Sequence, residues 1–245
     1  MTESVWLLVL AGIWAGAQNA LAGGGSFVTL PALMLAGLDA RVANITSTIA
    51  LFPGQVTTAV TNWRMVGAVG GIPFRRLLLI SLAGGIVGAI LLLLTPSDIF
   101  RTMLPWLVLS ATLLFARGAF GRRVEAKGLG PARTRIGQFF VAIYGGYFGG
   151  GIGFLMLALF TVAGTAVKEA QANKNALAAV MNGAGAIVFA FSGEANWRAA
   201  LLLGAGSMAG GYLGARLIRF VPDRVLKAAV VVIGFALTVG LFLRG

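Results

Sequence analysis

Eight long stretches of this chain contain no charged side chain, and that pattern limits its possible folds more than any other feature. They run from Ser4 to Leu38, Val42 to Trp63, Leu77 to Ser97, Thr102 to Ala116, Ile136 to Val167, Asn175 to Gly193, Ala199 to Ala215 and Ala228 to Leu243. A helix needs roughly 20 apolar residues to cross about 30 Å of hydrocarbon. Only 11% of the residues are charged and 58% are hydrophobic, where an ordinary soluble domain carries about 25% charge. Mean hydropathy is +0.92. A water-soluble fold must show much of its surface to solvent and could not hide this much apolar area. The expected class is therefore an all-α, polytopic transmembrane bundle whose surroundings are the lipid bilayer.

Several function classes drop out on residue type alone. The chain has no cysteine and no histidine, which removes disulfide scaffolds, thiol catalysis, imidazole acid–base chemistry and the usual zinc ligands. The seven acids, Glu3, Asp39, Asp98, Glu125, Glu169, Glu194 and Asp223, lie at termini or between spans. An enzyme is not expected, and no catalytic residue, metal ligand or cofactor site is assigned. The formal net charge of +12 would point to nucleic acid in a soluble protein. Here the basic residues gather in loops, as orientation by positive charge requires, and no nucleic-acid partner is expected. Met1 to Ser4 carries Glu3 and no basic residue, unlike the start of a secretory signal.

The loops set an orientation. Arg117, Arg122, Arg123, Lys127, Arg133 and Arg135 face a single acid, Glu125, in a linker over 117–135 that separates a first transmembrane unit, 1–116, from a second, 136–245. The positive-inside rule puts the linker in the cytoplasm. The loops with Arg64, Arg75 and Arg76 and with Arg216, Arg219, Arg224 and Lys227 share that side. Each glycine-interrupted stretch, Ser4 to Leu38 and Ile136 to Val167, must then be re-entrant or cross twice. All but Arg41, Arg101, Arg198 and Arg244 of the 19 Lys and Arg fall inside, and both termini fall outside.

The two units echo each other. Gly23-Gly24-Gly25 corresponds to Gly149-Gly150-Gly151, Asn44-Ile45-Thr46-Ser47 to Asn173-Lys174-Asn175-Ala176, Pro53-Gly54 to Asn182-Gly183, and Asn62-Trp63-Arg64 to Asn196-Trp197-Arg198. Charge differs between equivalent loops: Arg64 lies in a basic loop and Arg198 in a nearly neutral one. The units are therefore expected to be inverted-topology repeats, each a glycine-broken hairpin followed by three spans. Transporters of this kind bind substrate at the repeat interface near the midplane. The two triplets are expected to face each other there, closer than about 25 Å, a near-bilayer thickness.

The candidate binding residues cluster at these breaks. Consecutive glycines weaken a helix by roughly 1 kcal/mol each, and a broken helix frees N–H groups that attract anions. Gln18 and Asn19 precede Gly23, Gly24 and Gly25, and Ser26 follows. Asn44, Ser47 and Thr48 share one helix face by their spacing, as do Gln171, Lys174 and Asn175, with Asn173 between them. With Gly149, Gly150 and Gly151 these residues form the expected substrate site. Lys174 reads either as a lysine reaching out to the interface or as the counter-charge of an anion. The lack of any acid within the spans favours an anionic or neutral substrate.

At these motifs the chain resembles the sulfite exporter TauE/SafE family, a group of bacterial anion permeases. The resemblance rests on Gly23-Gly24-Gly25-Ser26, Ala43-Asn44-Ile45-Thr46-Ser47 with Pro53-Gly54, Gly149-Gly150-Gly151-Ile152-Gly153 and Gln171-Ala172-Asn173-Lys174-Asn175, and covers roughly Val5 to Leu243. It implies transport, with export preferred, of a small sulfur-containing anion such as sulfite or an organosulfonate across the bacterial inner membrane. An anion channel and a permease for a carboxylate are the alternatives. No residue pattern points to a coupling ion or an oligomeric state. The orientation has a direct check, because the chain has no native cysteine. A cysteine placed at Gly130 should react with an impermeant thiol reagent from the cytoplasmic side alone, and labelling in intact cells would reverse the assignment.

Overall fold

Both glycine-interrupted stretches break where the triplets predict. In the computed structural model, which describes residues 2–21, 24–61, 63–120, 128–217 and 223–244, the first stretch forms α1 (Thr2–Leu21) and α2 (Ser26–Leu35). The second forms α6 (Pro131–Tyr147) and α7 (Ile152–Val162). Between and after them come α3 (Ala40–Thr61), α4 (Phe74–Leu94), α5 (Ser97–Phe120), α8 (Val167–Phe191), α9 (Trp197–Leu217) and α10 (Asp223–Arg244). The described residues are all-α, with five helices on each side of the linker. Gly23, Asn62, linker residues Arg122, Arg123, Glu125 and Lys127, and Arg219 lie outside the described residues.

Helices outrun the charge-free stretches at several ends. α5 continues through Arg117, and α6 begins at Pro131, so Arg133 and Arg135 are helical. α8 begins two turns before Asn175, which puts Lys174 inside a helix rather than at its start. The reason is general: a charge marks where hydrocarbon ends, not where backbone hydrogen bonding ends.

The surface is that of a protein in lipid. Leu201, Val232, Phe140 and Leu243 are among the many large apolar side chains that face outward, while Asn44, Thr46, Ser47, Ser81, Gln138, Asn173 and Lys174 are buried. α4, the first 21 residues of α5 (Ser97–Arg117) and α8 are each long and apolar enough to span a bilayer. At 1.5 Å per residue, the 10 residues of α2 and the 11 of α7 reach only about 15 Å, half of the hydrocarbon depth.

The packing of the first five helices recurs in the second five. α1 packs on α9 and α6 on α4; α3 packs on α9 and α8 on α4; α2 lies against α1 and α3, and α7 against α6 and α8. α3 crosses α8, and α5 crosses α10. Residue pairs give the directions. Gly12 lies against Leu203 and Gly16 against Ser207, so α1 and α9 run parallel; Gly84 against Phe139 and Gly88 against Ile143 make α4 and α6 parallel. Thr48 meets Gly185, Phe52 meets Gly183, and Asn182 donates from Nδ2 to Gln55 Oε1 at 2.8 Å, so α3 and α8 run antiparallel.

Small residues permit these contacts, as membrane helices commonly require. A methyl at Gly88 would fall against the Ile143 carbonyl and 2.7 Å from the Tyr147 nitrogen. One outer corner is tied by Arg41, at the start of α3. Its Nη1 donates to the carbonyls of Leu93 (2.9 Å) and Thr95 (3.1 Å) at the end of α4, and its Nη2 pairs with Glu194 after α8.

The glycine contacts predict opposite signs at two sites. Gly88→Val should destabilise the protein by about 1–3 kcal/mol, the usual cost of overpacking. Gly240→Ala, where a methyl meets nothing within 4 Å, should be neutral or stabilising by up to about 1 kcal/mol. Thermal unfolding in detergent measures both.

Candidate functional site

The two short helices start beside each other. Gly24 (φ +81°), Gly149 (φ +75°) and Gly151 (φ +76°) take the left-handed backbone that only glycine adopts cheaply. This is what lets the chain turn from a long helix into a short one. A methyl built on Gly149 would lie 4.0 Å from Ser26 Oγ, and one on Gly151 would lie 3.8 Å from the Phe27 ring. The two breaks therefore meet, as the pairing of motifs predicts.

Each break leaves backbone donors free. In α7 the first internal bond runs from the Phe154 N–H to the Gly151 carbonyl at 3.1 Å, and no side chain caps the helix. The N–H groups of Ile152 and Gly153 thus have no acceptor among the described residues. In α2 the Gly25 N–H is taken by Asn19 Oδ1 at 2.7 Å, while Gln18 Nε2 donates to the Gly24 carbonyl at 3.1 Å. Asn19 and Gln18 thus brace the turn. Two helix N-termini with their partial positive charge face one space.

That space is a cavity of about 40 Å³ on a scale where one water takes roughly 10–15 Å³: room for a few waters or one small oxyanion. Of the sequence-predicted residues, Asn19, Gly24, Ser26, Gly149, Lys174 and Asn175 line it. Lys174 is only 3% exposed, so it does not reach out to an interface. A methyl on Gly153 would sit 3.5 Å from its Nζ; the absent side chain lets the lysine fold over the start of α7. Its ammonium has no hydrogen bond or ion pair with any described residue. A buried charge without a partner is expensive, and an anion in the cavity would offset it.

Other predicted residues serve the frame. Asn44 Nδ2 donates to the Tyr147 carbonyl at the end of α6 (3.0 Å). Ser47 Oγ shares a hydrogen bond with Thr29 Oγ1 at 2.5 Å, and Thr48 Oγ1 donates to the Asn44 carbonyl. Asn173 joins the Glu169 carbonyl to the Gly67 N–H. Gly25, Gly150, Gly151 and Gln171 do not line the cavity.

Gln55, Thr58, Ile152, Gly153 and Ala178 line it without having been assigned. Gln55 and Thr58 continue the face of Thr48 by two and three turns. The spacing along α3 carries that signal.

A larger hollow of about 150 Å³ lies near the start of α1, between Val5, Leu8, Leu38 and Leu202. Its polar groups, Asn196 and Arg198, are exposed, so nothing buried converges on a ligand there.

Comparison with known proteins agrees with this architecture. The Sulfite exporter TauE/SafE family matches residues 8–241. The chain is 29% identical to a probable membrane transporter protein, ORF9, of Sinorhizobium sp, over 96% of this chain and 90% of that one. It is 28% identical to the probable membrane transporter protein YfcA of Escherichia coli strain K12, over 93% and 85%. It is 27% identical to a probable membrane transporter protein of Haemophilus influenzae, over 95% and 92%. No solved structure matches it. Matched over nearly its whole length, this chain belongs to the TauE/SafE family of membrane transporters.

Proposed function

We propose that the chain carries a small sulfur-containing anion, such as sulfite or an organosulfonate, out of the bacterial cell by alternating access. The observation that supports it most is the unpaired Lys174 ammonium, which shares a cavity with the N-terminal turns of α2 and α7. An anion leaving water loses its hydration shell, and the protein must supply donors and charge in return. Free N–H groups supply donors; the lysine supplies charge. Ser26 and Asn175 can add hydroxyl and amide contacts. The preference for sulfur rests on the family's name and the cavity's size.

The transport cycle follows from the paired packing. The five helices on each side of the linker act as inverted repeats, with α1–α2 and α6–α7 as re-entrant hairpins whose tips meet inside the bilayer. Antiparallel α3 and α8 cross beside the tips, so rocking one repeat on the other exposes the cavity to alternate sides. The protein lies in the inner membrane with the linker in the cytoplasm and both termini outside. The Arg41–Glu194 pair would then close the outer face, leaving the inner side to open. A channel would use the same residues, but its flux would not depend on a second ion gradient. A carboxylate permease would rank carboxylates above sulfite and sulfonates in a thermal-shift panel.

Lys174 carries the test. In the folded, detergent-solubilised protein, Lys174→Gln should weaken binding of the best anion in that panel by more than about tenfold, or 1.4 kcal/mol. Lys174→Arg should be intermediate, since it keeps charge but changes shape and hydration. Without ligand, Lys174→Gln should be at least as heat-stable as the wild type, because an unpaired buried charge is gone. Wild-type affinity in the Gln variant would remove the lysine from the site.

A further inference from the structure

One buried acceptor beside the cavity has no donor. Asn182, on α8 two turns beyond Asn175, is 5% exposed. Its Nδ2 donates to Gln55 Oε1 at 2.8 Å, and its Oδ1 has no hydrogen-bond partner. A methyl built on Gly149 would lie 3.7 Å from that oxygen and 4.0 Å from Ser26 Oγ. The oxygen thus looks across the bare face of Gly149, which itself lines the cavity. Gln55 also lines it, and because its Oε1 is taken by Asn182, its Nε2 is the group left to donate inward.

A site for a simple oxyanion needs donors alone. A buried acceptor left without a donor is costly, and a ligand that carries a donor removes that cost. Resting on the anion site proposed above, we propose that the transported anion carries a hydroxyl and donates its O–H to Asn182 Oδ1. Gln55 Nε2 and the Lys174 ammonium hold the charged end of the same ligand. A cation or a ligand ammonium is disfavoured at Oδ1, because no acid stands within the spans to offset a second positive charge near Lys174. A hydroxyl brings the donor without the charge. It can belong to the acid itself, as in hydrogensulfite, or to a short alcohol next to the acid group.

Two probe pairs separate these sources at matched charge and size: hydrogensulfite against methanesulfinate, and hydroxymethanesulfonate against ethanesulfonate. In each pair a hydroxyl replaces a methyl. The wild-type protein in detergent should bind the hydroxyl member of whichever pair it accepts at least about tenfold more tightly, the size of discrimination expected when a buried polar group would otherwise stay unpaired. Asn182→Leu should bring the two members within about twofold, while Lys174→Gln should weaken both together. Equal affinities in the wild type, as when a water serves Oδ1, would overturn the inference and leave the anion site standing. So would a preference that survives Asn182→Leu, or an equal loss for both members in that variant. If no probe of either pair, nor any other anion, binds the folded wild type, the anion site falls and this inference with it. The wild-type comparison needs no variant, so a misfolded Asn182→Leu protein would not block the decision.

Discussion

Breaking a helix inside hydrocarbon exposes backbone N–H groups that lipid cannot satisfy, each at a cost of several kcal/mol. The two breaks in this protein are tolerable because each is covered by the other and by flanking helices. Gly25 gives its N–H to Asn19, and Gln18 takes the Gly24 carbonyl. What remains uncovered, the first N–H groups of α7 and one face of Ser26, looks into a cavity rather than at lipid. The same breaks that endanger the fold therefore create its polar space. A continuous helix in either place would close the site and strip the protein of its free donors.

Close packing keeps that space small and fixed. α1 and α9 approach through Gly12, Gly16, Gly206 and Gly210, and α4 and α6 through Gly84, Gly88 and Gly146. In lipid no hydrophobic force drives helices together, so small residues and van der Waals contact do the work. These two pairs form flanks on which α3 and α8 rest, through Gly54 against Ser207 and Gly85 against Met181. The crossing helices then bring Gln55 and Asn182 into hydrogen-bond contact from opposite halves of the chain. Each flank thus joins one helix from each half of the chain, with a polar crossing between the two flanks.

The membrane class and the helix breaks were legible because they rest on composition and on glycine, whose backbone consequences are local. The meeting of Ser26 with Gly149 was legible only through the repeated motifs, since nothing local brings residues so distant together. Individual side chains were harder to read. Asn44, Ser47 and Thr48 share a face, but that face bonds the Tyr147 carbonyl and Thr29; a polar stripe in a membrane helix serves frame and ligand alike, and spacing does not separate them. Charge alone does not place Lys174 within its helix. In fact Lys168 and Glu169 occupy the first turn of α8, and the lysine sits beyond them, buried. Gln55 and Asn182 point into or beside the cavity because of how α3 crosses α8, which one-dimensional periodicity does not encode.

The paired halves are not equivalent, and the difference has mechanical consequences. Arg41 stands three residues before Asn44; the residue three before Asn173 is Ala170, which is fully buried. One face is thus held by a charged side chain that caps two carbonyls of α4 and pairs with Glu194. Asn173 makes a neutral contact instead, accepting from the Gly67 N–H at 3.2 Å. A charge-assisted bond is roughly twice as strong as a neutral one, so separating the Arg41 corner costs more than separating the Gly67 corner. The lysine is unmatched in the same way, since Ile45 stands where the repeat would put its partner. The anion proposed at Lys174 would therefore contact the second half through a charge and the first half through neutral groups. Its arrival would change the electrostatics of one half more than the other, which is the differential interaction a ligand needs in order to shift a conformational equilibrium.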